Sequence, residues 1–223
     1  AGPGGVLEFV PGSGSDMTSV LLGRQESAGI HFTGSTEVFR DLWKGVSDNL
    51  SSYSSYPRLV GETGGKDFIF IHKSADIKAA AAAIARGAFE YQGQKCSATS
   101  RGYVPVSRWE ELKSELAYIM GEIKTGDPRD FGNFVNAVID EASFDNCMSY
   151  IKYAEEADNA EILFGGSGDK SRGYFVQPTI IKTSDPHFKS MEEEIFGPIF
   201  TLYVYEDEKY EETLRICDGT SPY

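Results

Sequence analysis

A cysteine and a glutamate, each set among small and polar residues, are the side chains of this sequence best suited to covalent chemistry. Cys96 stands in FEYQGQKCSATSRGYVP, residues 89–105, in a short polar loop between an alanine-rich segment and an apolar, strand-like run. A thiol ionises near ~8.5, so it attacks at neutral pH only if its surroundings favour the thiolate; Lys95 beside it, or a nearby helix N-terminus, could do so. Gly93, Gln94, Lys95 and Ser97 around it argue against a buried packing cysteine, the role expected of Cys147 in SFDNCMSYI and of Cys217 in TLRICDG. Glu62 lies between Gly61 and Thr63-Gly64-Gly65, where backbone freedom allows a ligand to come close. Together they are a nucleophile and a possible base, the two parts that a covalent oxidation needs. A loop carboxylate in water is the plain alternative for Glu62.

Two further stretches could hold a cofactor. In HFTGSTEVF, Gly34 and Ser35 open a helix and so present backbone N–H groups and a positive dipole end to an anion such as a pyrophosphate. It is not the GxGxxG fingerprint, GSGS at 12–15 does not complete one, and a plain helix cap remains the alternative. In MEEEIFGPIF a carboxylate beside an aromatic could hold a ribose hydroxyl and pack a flat ring, or could be a solvated acidic turn. Lys66 after the glycines suggests a phosphate loop, but Val60 stands where that motif needs its first glycine and Asp67 follows the lysine. A cysteine hydrolase would need His31, His72 or His187, none of which sits in a motif-like setting.

The elements that must position these residues alternate strand and helix. Val6 to Pro11 is a short apolar run closed by PGSGS, a flexible turn cluster. Ile30 to Thr33 reads as a strand that breaks at Gly34, with Ser35 as the N-cap of TEVFRDLWKGV. Phe68 to Ile71 is a buried-strand candidate, and Ser74 to Phe89 a helix on its alanine run. After the cysteine loop, Gly102 to Val106 reads as a strand, and Ser107 with Glu110 forms a capping box for a helix to about Lys124. Ser143 to Glu156 is amphipathic, Glu161 to Phe164, Tyr174 to Ile181 and Ile199 to Tyr205 are strands, and Glu208 to Cys217 is the last helix. The expected class is α/β with a largely parallel sheet flanked by helices.

Composition narrows the functions. The 223 residues can bury a sizeable core. With 21 basic against 34 acidic residues the formal charge is −13, which disfavours nucleic acid as a partner. The three cysteines are an odd, widely spaced set that suggests neither disulfides nor a metal site, and a reducing compartment suits them. No run is long enough for a membrane span, and AGPGGVLEF has no signal-peptide pattern.

FTGST, GETGGK, GQKCS and EEIFGP occur in the order and at separations similar to those of the aldehyde dehydrogenases, which the chain resembles over essentially its whole length. The resemblance implies that Cys96 is the nucleophile, Glu62 the general base, Gly34 and Ser35 the residues near the NAD pyrophosphate, Glu194 the ribose ligand and Phe196 the flank of the nicotinamide. NLSSYSSYPRLVGETGGK, the Cys96 stretch and FTLYVYEDEKYEETL resemble the eukaryotic, mitochondrial-type members that oxidise glutamate γ-semialdehyde to glutamate. There Ser97 would help hold the substrate carboxylate. The resemblance further implies an aldehyde-dehydrogenase-like fold incomplete at both ends: residues 1–61 as the C-terminal part of an NAD-binding domain and 62–223 as a truncated catalytic domain. It implies a small-molecule aldehyde substrate, no metal, a mitochondrial matrix setting and a homo-oligomeric parent, of which an isolated fragment would be inactive. Another NAD(P)-dependent aldehyde dehydrogenase, or a non-catalytic binding protein that keeps the fold, remains open.

Overall fold

The computed structural model describes residues 5–223. The chain divides into two compact units, one ending at Gly64 and the other formed by Gly65–Tyr223. Glu62 falls in the smaller unit; Cys96, Ser97, Glu194 and Phe196 fall in the larger.

The smaller unit contains helix α1 (Gly14–Leu22), strand β1 (Gly29–Thr33), helix α2 (Thr36–Asp48) and strand β2 (Arg58–Glu62). PGSGS is not a free turn: Ser13 caps α1, accepting from the Asp16 N–H, and Gly14 and Ser15 are its first residues. Strands β1 and β2 pair in parallel, with Thr33 opposite Glu62. The α2 helix crosses between them, burying Leu42 and Val46, and begins at Ser35 as the capping residue requires. Two glycines serve as seats for aromatic rings here. A Cβ at Gly34 would come 2.5 Å from the Phe32 ring, and one at Gly61 would come 2.5 Å from Phe39. Those two rings stack on each other at 6.0 Å.

The larger unit is a five-stranded sheet with helices on both faces. In chain order it holds β3 (Asp67–Phe70), α3 (Ile77–Phe89), β4 (Thr99–Pro105), α4 (Val106–Glu122), α5 (Glu141–Glu155), β5 (Ala160–Phe164) and the two-residue strands β6 (Gly168–Asp169) and β7 (Phe175–Val176). β8 (Thr179–Thr183), α6 (Lys189–Glu192), β9 (Ile199–Tyr205) and α7 (Tyr210–Gly219) complete it. The sheet order is β3-β4-β9-β8-β5, parallel throughout except that β5 runs antiparallel to β8. Alternate residues of the central strands supply the two cores, as a period of two demands. Val104, Ile180, Phe200 and Leu202 join α3 and α4, whereas Tyr103, Ile181, Ile199 and Tyr205 join α5, α6 and α7.

Four local expectations are corrected. Phe68 is 49% exposed, because β3 is an edge strand with one neighbour. The Ser74 start of α3 moves to Ile77, since Asp76 takes the capping position and accepts from Ala79 N–H at 3.1 Å. Ser107 forms no capping box. Helix α4 begins one residue earlier, and the Asp207 carboxylate accepts from both the Ser107 N–H, at 3.1 Å, and its hydroxyl, at 2.6 Å. The run Tyr174 to Ile181 is two strands rather than one, broken at Gln177 and Pro178, where proline can offer no ladder donor.

Candidate functional site

Cys96 is exposed at the tip of a turn closed by the Ala98 N–H donating to the Lys95 carbonyl at 3.1 Å, and Ser97 is exposed beside it. The chain reaches that turn by an unusual path. After α3, Tyr91, Gln92 and Gly93 are all left-handed, with φ of 54°, 57° and 65°. Only glycine takes that conformation without strain, so the two side-chain-bearing residues need external holds. Gln92 is buried, and the Gln94 side-chain oxygen accepts from the Ile139 N–H at 2.9 Å. Gly93 lies against the Gly197 carbonyl with no room for a Cβ. The ammonium of Lys95 is paired with Glu90 at 2.7 Å, and Glu90 also meets Arg86 at 2.9 Å. These two cations hold the Glu90 carboxyl below its usual range, the hydrogen bond from Lys95 first. Lys95 is therefore committed elsewhere than to the Cys96 thiol. The elements flanking Cys96 in sequence are the end of a 3₁₀ turn, Glu90–Gly93, and the start of β4, so neither points a helix N-terminus at it.

Gly65 is the residue through which the larger unit's candidates meet. Its N–H donates to Glu194 Oε1 at 3.1 Å, and it packs against the Cys96 carbonyl so closely that a side chain there would collide. A crevice lined by Gly65, Gly93, Lys95, Ser100, Glu194 and Phe196 runs along this contact. Ser100 Oγ is buried in it without a hydrogen-bond partner among the described residues. Phe196 is 45% exposed and has φ of 58°.

Lys66, next in sequence, is 3% exposed and its Nζ has no partner among the described residues. Burial, and then the Arg101 charge, push its pKa down to about 7, while Glu194 and Glu193 oppose the change. Arg101 is itself buried, donating to the Lys66 carbonyl at 2.9 Å and, at 3.2 Å each, to the Tyr103 hydroxyl and the Cys217 carbonyl. Sequence reasoning missed both: Lys66 suggests only a phosphate loop that its neighbours exclude, and Arg101 lies just outside the strand expected from Gly102. Cys147 and Cys217 are buried as expected, and burial raises both thiols, Cys147 to about 12. His72 and His187 are exposed, and so is His31 on β1.

In the smaller unit, Gly34 and Glu62 come together at the carboxyl ends of the two parallel strands. The Gly34 N–H donates to the Glu62 carbonyl at 3.1 Å and is thus not free for a ligand. Ser35 Oγ accepts from the Val38 N–H at 3.2 Å, which leaves the N–H groups of Thr36 and Glu37 without partners among the described residues. Glu62 and Ser35 are exposed. The carboxyl ends of strands, capped by a helix N-terminus, are where open α/β sheets bind ligands. No group of carboxylates, histidines and cysteines that could hold a metal occurs among the described residues.

Comparison with known proteins places these features in a family. The model described as the aldehyde dehydrogenase family matches residues 1–221. The Delta-1-pyrroline-5-carboxylate dehydrogenase, mitochondrial, of Dictyostelium discoideum is 55% identical over 223 residues, 99% of this chain and 40% of that protein. The Homo sapiens protein of the same name is 46% identical, over 99% of this chain and 39% of its own length. Among solved structures, the Delta-pyrroline-5-carboxylate dehydrogenase of Mycobacterium tuberculosis bound with NAD superposes with a TM-score of 0.88 at 44% identity, covering 95% of this chain and 38% of that one. The chain spans about 40% of the length of the curated relatives it matches.

Proposed function

The chain belongs to the aldehyde dehydrogenase family, and on that premise we propose that it carries the nucleophile and base of an enzyme that oxidises L-glutamate γ-semialdehyde, the open form of Δ1-pyrroline-5-carboxylate, to L-glutamate with NAD. The observation that carries the reading is the convergence of the Cys96 turn, Gly65 and Glu194 in the larger unit. The high identity to dehydrogenases of that name supports the substrate and, through it, a role in proline catabolism, and their mitochondrial designation supports the mitochondrial matrix.

Each unit, taken by itself, holds residues that suit a part of the dinucleotide. The N–H groups of Thr36 and Glu37, with Ser35 at the cap, suit an anionic pyrophosphate. Glu194 has one oxygen anchored on Gly65 and the other without a partner among the described residues, which suits a ribose hydroxyl, and the exposed face of Phe196 suits a flat ring. When bound, the nicotinamide serves as the hydride acceptor.

The chain's own residues do the rest. Cys96 Sγ, as thiolate, adds to the aldehyde carbon, and the carbonyl π pair moves to oxygen, where backbone N–H groups stabilise the charge. Ser97, exposed beside Cys96, offers its hydroxyl to the substrate carboxylate. Loss of hydride from that carbon leaves a thioester on Cys96. Glu62 then takes a proton from a water, whose oxygen attacks the thioester carbon; the C–S bond breaks, its electron pair returns Cys96 as the thiolate, and the product leaves as the acid. The homo-oligomeric state implied by the family belongs to the same reading.

The test is alkylation of Cys96 in the full-length gene product. Iodoacetamide modifies Cys96 and abolishes NADH formation, and NAD together with the semialdehyde protects it. Retention of activity after complete modification of Cys96 would overturn the assignment.

A further inference from the structure

Successive residues of Glu193–Gly197 face different surroundings. The odd-numbered positions are held by α5. The Tyr150 hydroxyl donates to the Glu193 carboxylate, and Asn146 Nδ2 donates to the Ile195 carbonyl at 3.2 Å. Cys147 Sγ occupies the space that a side chain at Gly197 would need. Asn146 and Tyr150 are one helical turn apart and so share a face of α5, and Ile195 is buried in the cluster that contains Cys147 and Tyr150. Lys189 reinforces the grip, with Nζ 4.8 Å above the Tyr150 ring and 4.0 Å from the Glu193 carboxylate. The even-numbered positions are turned away from this helix. Glu194 reaches the Gly65 N–H, and Phe196 is exposed on a left-handed backbone that a non-glycine residue adopts only when its neighbours impose it.

We infer that Asn146 and Tyr150 are positioning residues for the dinucleotide, fixing the backbone and side chain of the odd positions so that Glu194 and Phe196 are presented to a ribose and a flat ring. The inference rests on the proposed function. Neither residue touches the ligand; each acts through the segment it holds. Burial, and then the bond to Glu193, push the Tyr150 hydroxyl far up, so it stays protonated and remains a donor across the working pH range. Asn146 holds the backbone directly, one residue from both Glu194 and Phe196, and is the stronger determinant of the two.

Direct titration of NAD into the full-length gene product and its Asn146→Ala and Tyr150→Phe variants tests this, alongside the KM for the aldehyde and the rate of Cys96 alkylation without NAD. Asn146→Ala is expected to weaken NAD binding about tenfold, the upper end of what one lost hydrogen bond is worth, with Tyr150→Phe weaker in the same direction. The aldehyde KM and the alkylation rate should change by less than about twofold, because Asn146 and Tyr150 bond to Ile195 and Glu193 and not to the Cys96 turn. Unchanged NAD affinity in both variants overturns the inference, as does a parallel loss in all three measurements, which would mark a general packing role. Should Asn146→Ala fail to fold, Tyr150→Phe decides alone. If the unsubstituted protein binds no NAD, the functional reading itself fails; if it binds NAD and the variants bind equally well, only the positioning role does.

Discussion

In the proposed reaction Cys96 carries the acylation and Glu62 the release, and that division would give each a separable signature. With Glu62→Gln in the full-length gene product, NADH should appear in a single burst of about one equivalent per site and then stall, since the thioester forms but is not hydrolysed. Stopped-flow absorbance checks this, and steady turnover at the unsubstituted rate would remove Glu62 from the base role. Lys66 supports a different experiment. Its pKa falls from 10.5 unfolded to about 7 folded, so the folded state binds fewer protons between those values and stability rises with pH across that window. Below about 7 the full penalty for burying the ammonium remains, on the order of a few kcal/mol. Lys66→Met should therefore stabilise the protein at pH 6 to 7, and the advantage should shrink towards pH 10, a trend that urea unfolding at a series of pH values would reveal. The exposure of Cys96 and Glu62 was legible, because each stands among glycines and polar residues rather than in an apolar run. The burial of Lys66 and Arg101 was not, because their surroundings come from α7 and the 193–194 segment, far away in sequence.

At the scale of elements, α4 shows how a tertiary contact displaces a local rule. Ser107 and Glu110 have capping-box spacing, yet the Asp207 carboxylate, just after β9, takes the Ser107 N–H and hydroxyl. Those two bonds hold the Asp207 carboxyl below its usual range, the hydroxyl first. The contribution is thus present at neutral pH and is lost as acid protonates the carboxylate below its ordinary pKa of 3.8. Asp207→Ala should lower the melting temperature at pH 7 and make little difference once the pH falls well below that range, as calorimetry at the two pH values would show. The alternation of strand and helix was readable from period and caps: β9 as its apolar run, α2 from Ser35, α3 from its alanines. What escaped was the helix α1, hidden in a glycine- and serine-rich stretch that read as a turn, and the break in Tyr174 to Ile181, where a proline outweighs β-propensity.

At the scale of the whole molecule, Cys96 and Glu62, the residues proposed as nucleophile and base, stand in different compact units. A polypeptide of these 223 residues spans about 40% of its relatives and on its own should form no NADH from glutamate semialdehyde; measurable turnover would refute this. Among the described residues β3 pairs on one side only, with Phe68 49% exposed, and each strand of the smaller sheet pairs on one side only, so the same polypeptide should self-associate as concentration rises. Light scattering across a dilution series checks that expectation. The distribution of cysteines between the two cores has a consequence of another kind. Cys147 and Cys217 both lie in the core of α5, α6 and α7, the α3 and α4 core has no buried cysteine, and Cys96 is in the open. Once Cys96 is blocked, a thiol reagent added under native conditions becomes a clock for one side of the sheet: the slow appearance of a second and third label times the opening of the α5 face, while breathing of the opposite face passes unrecorded.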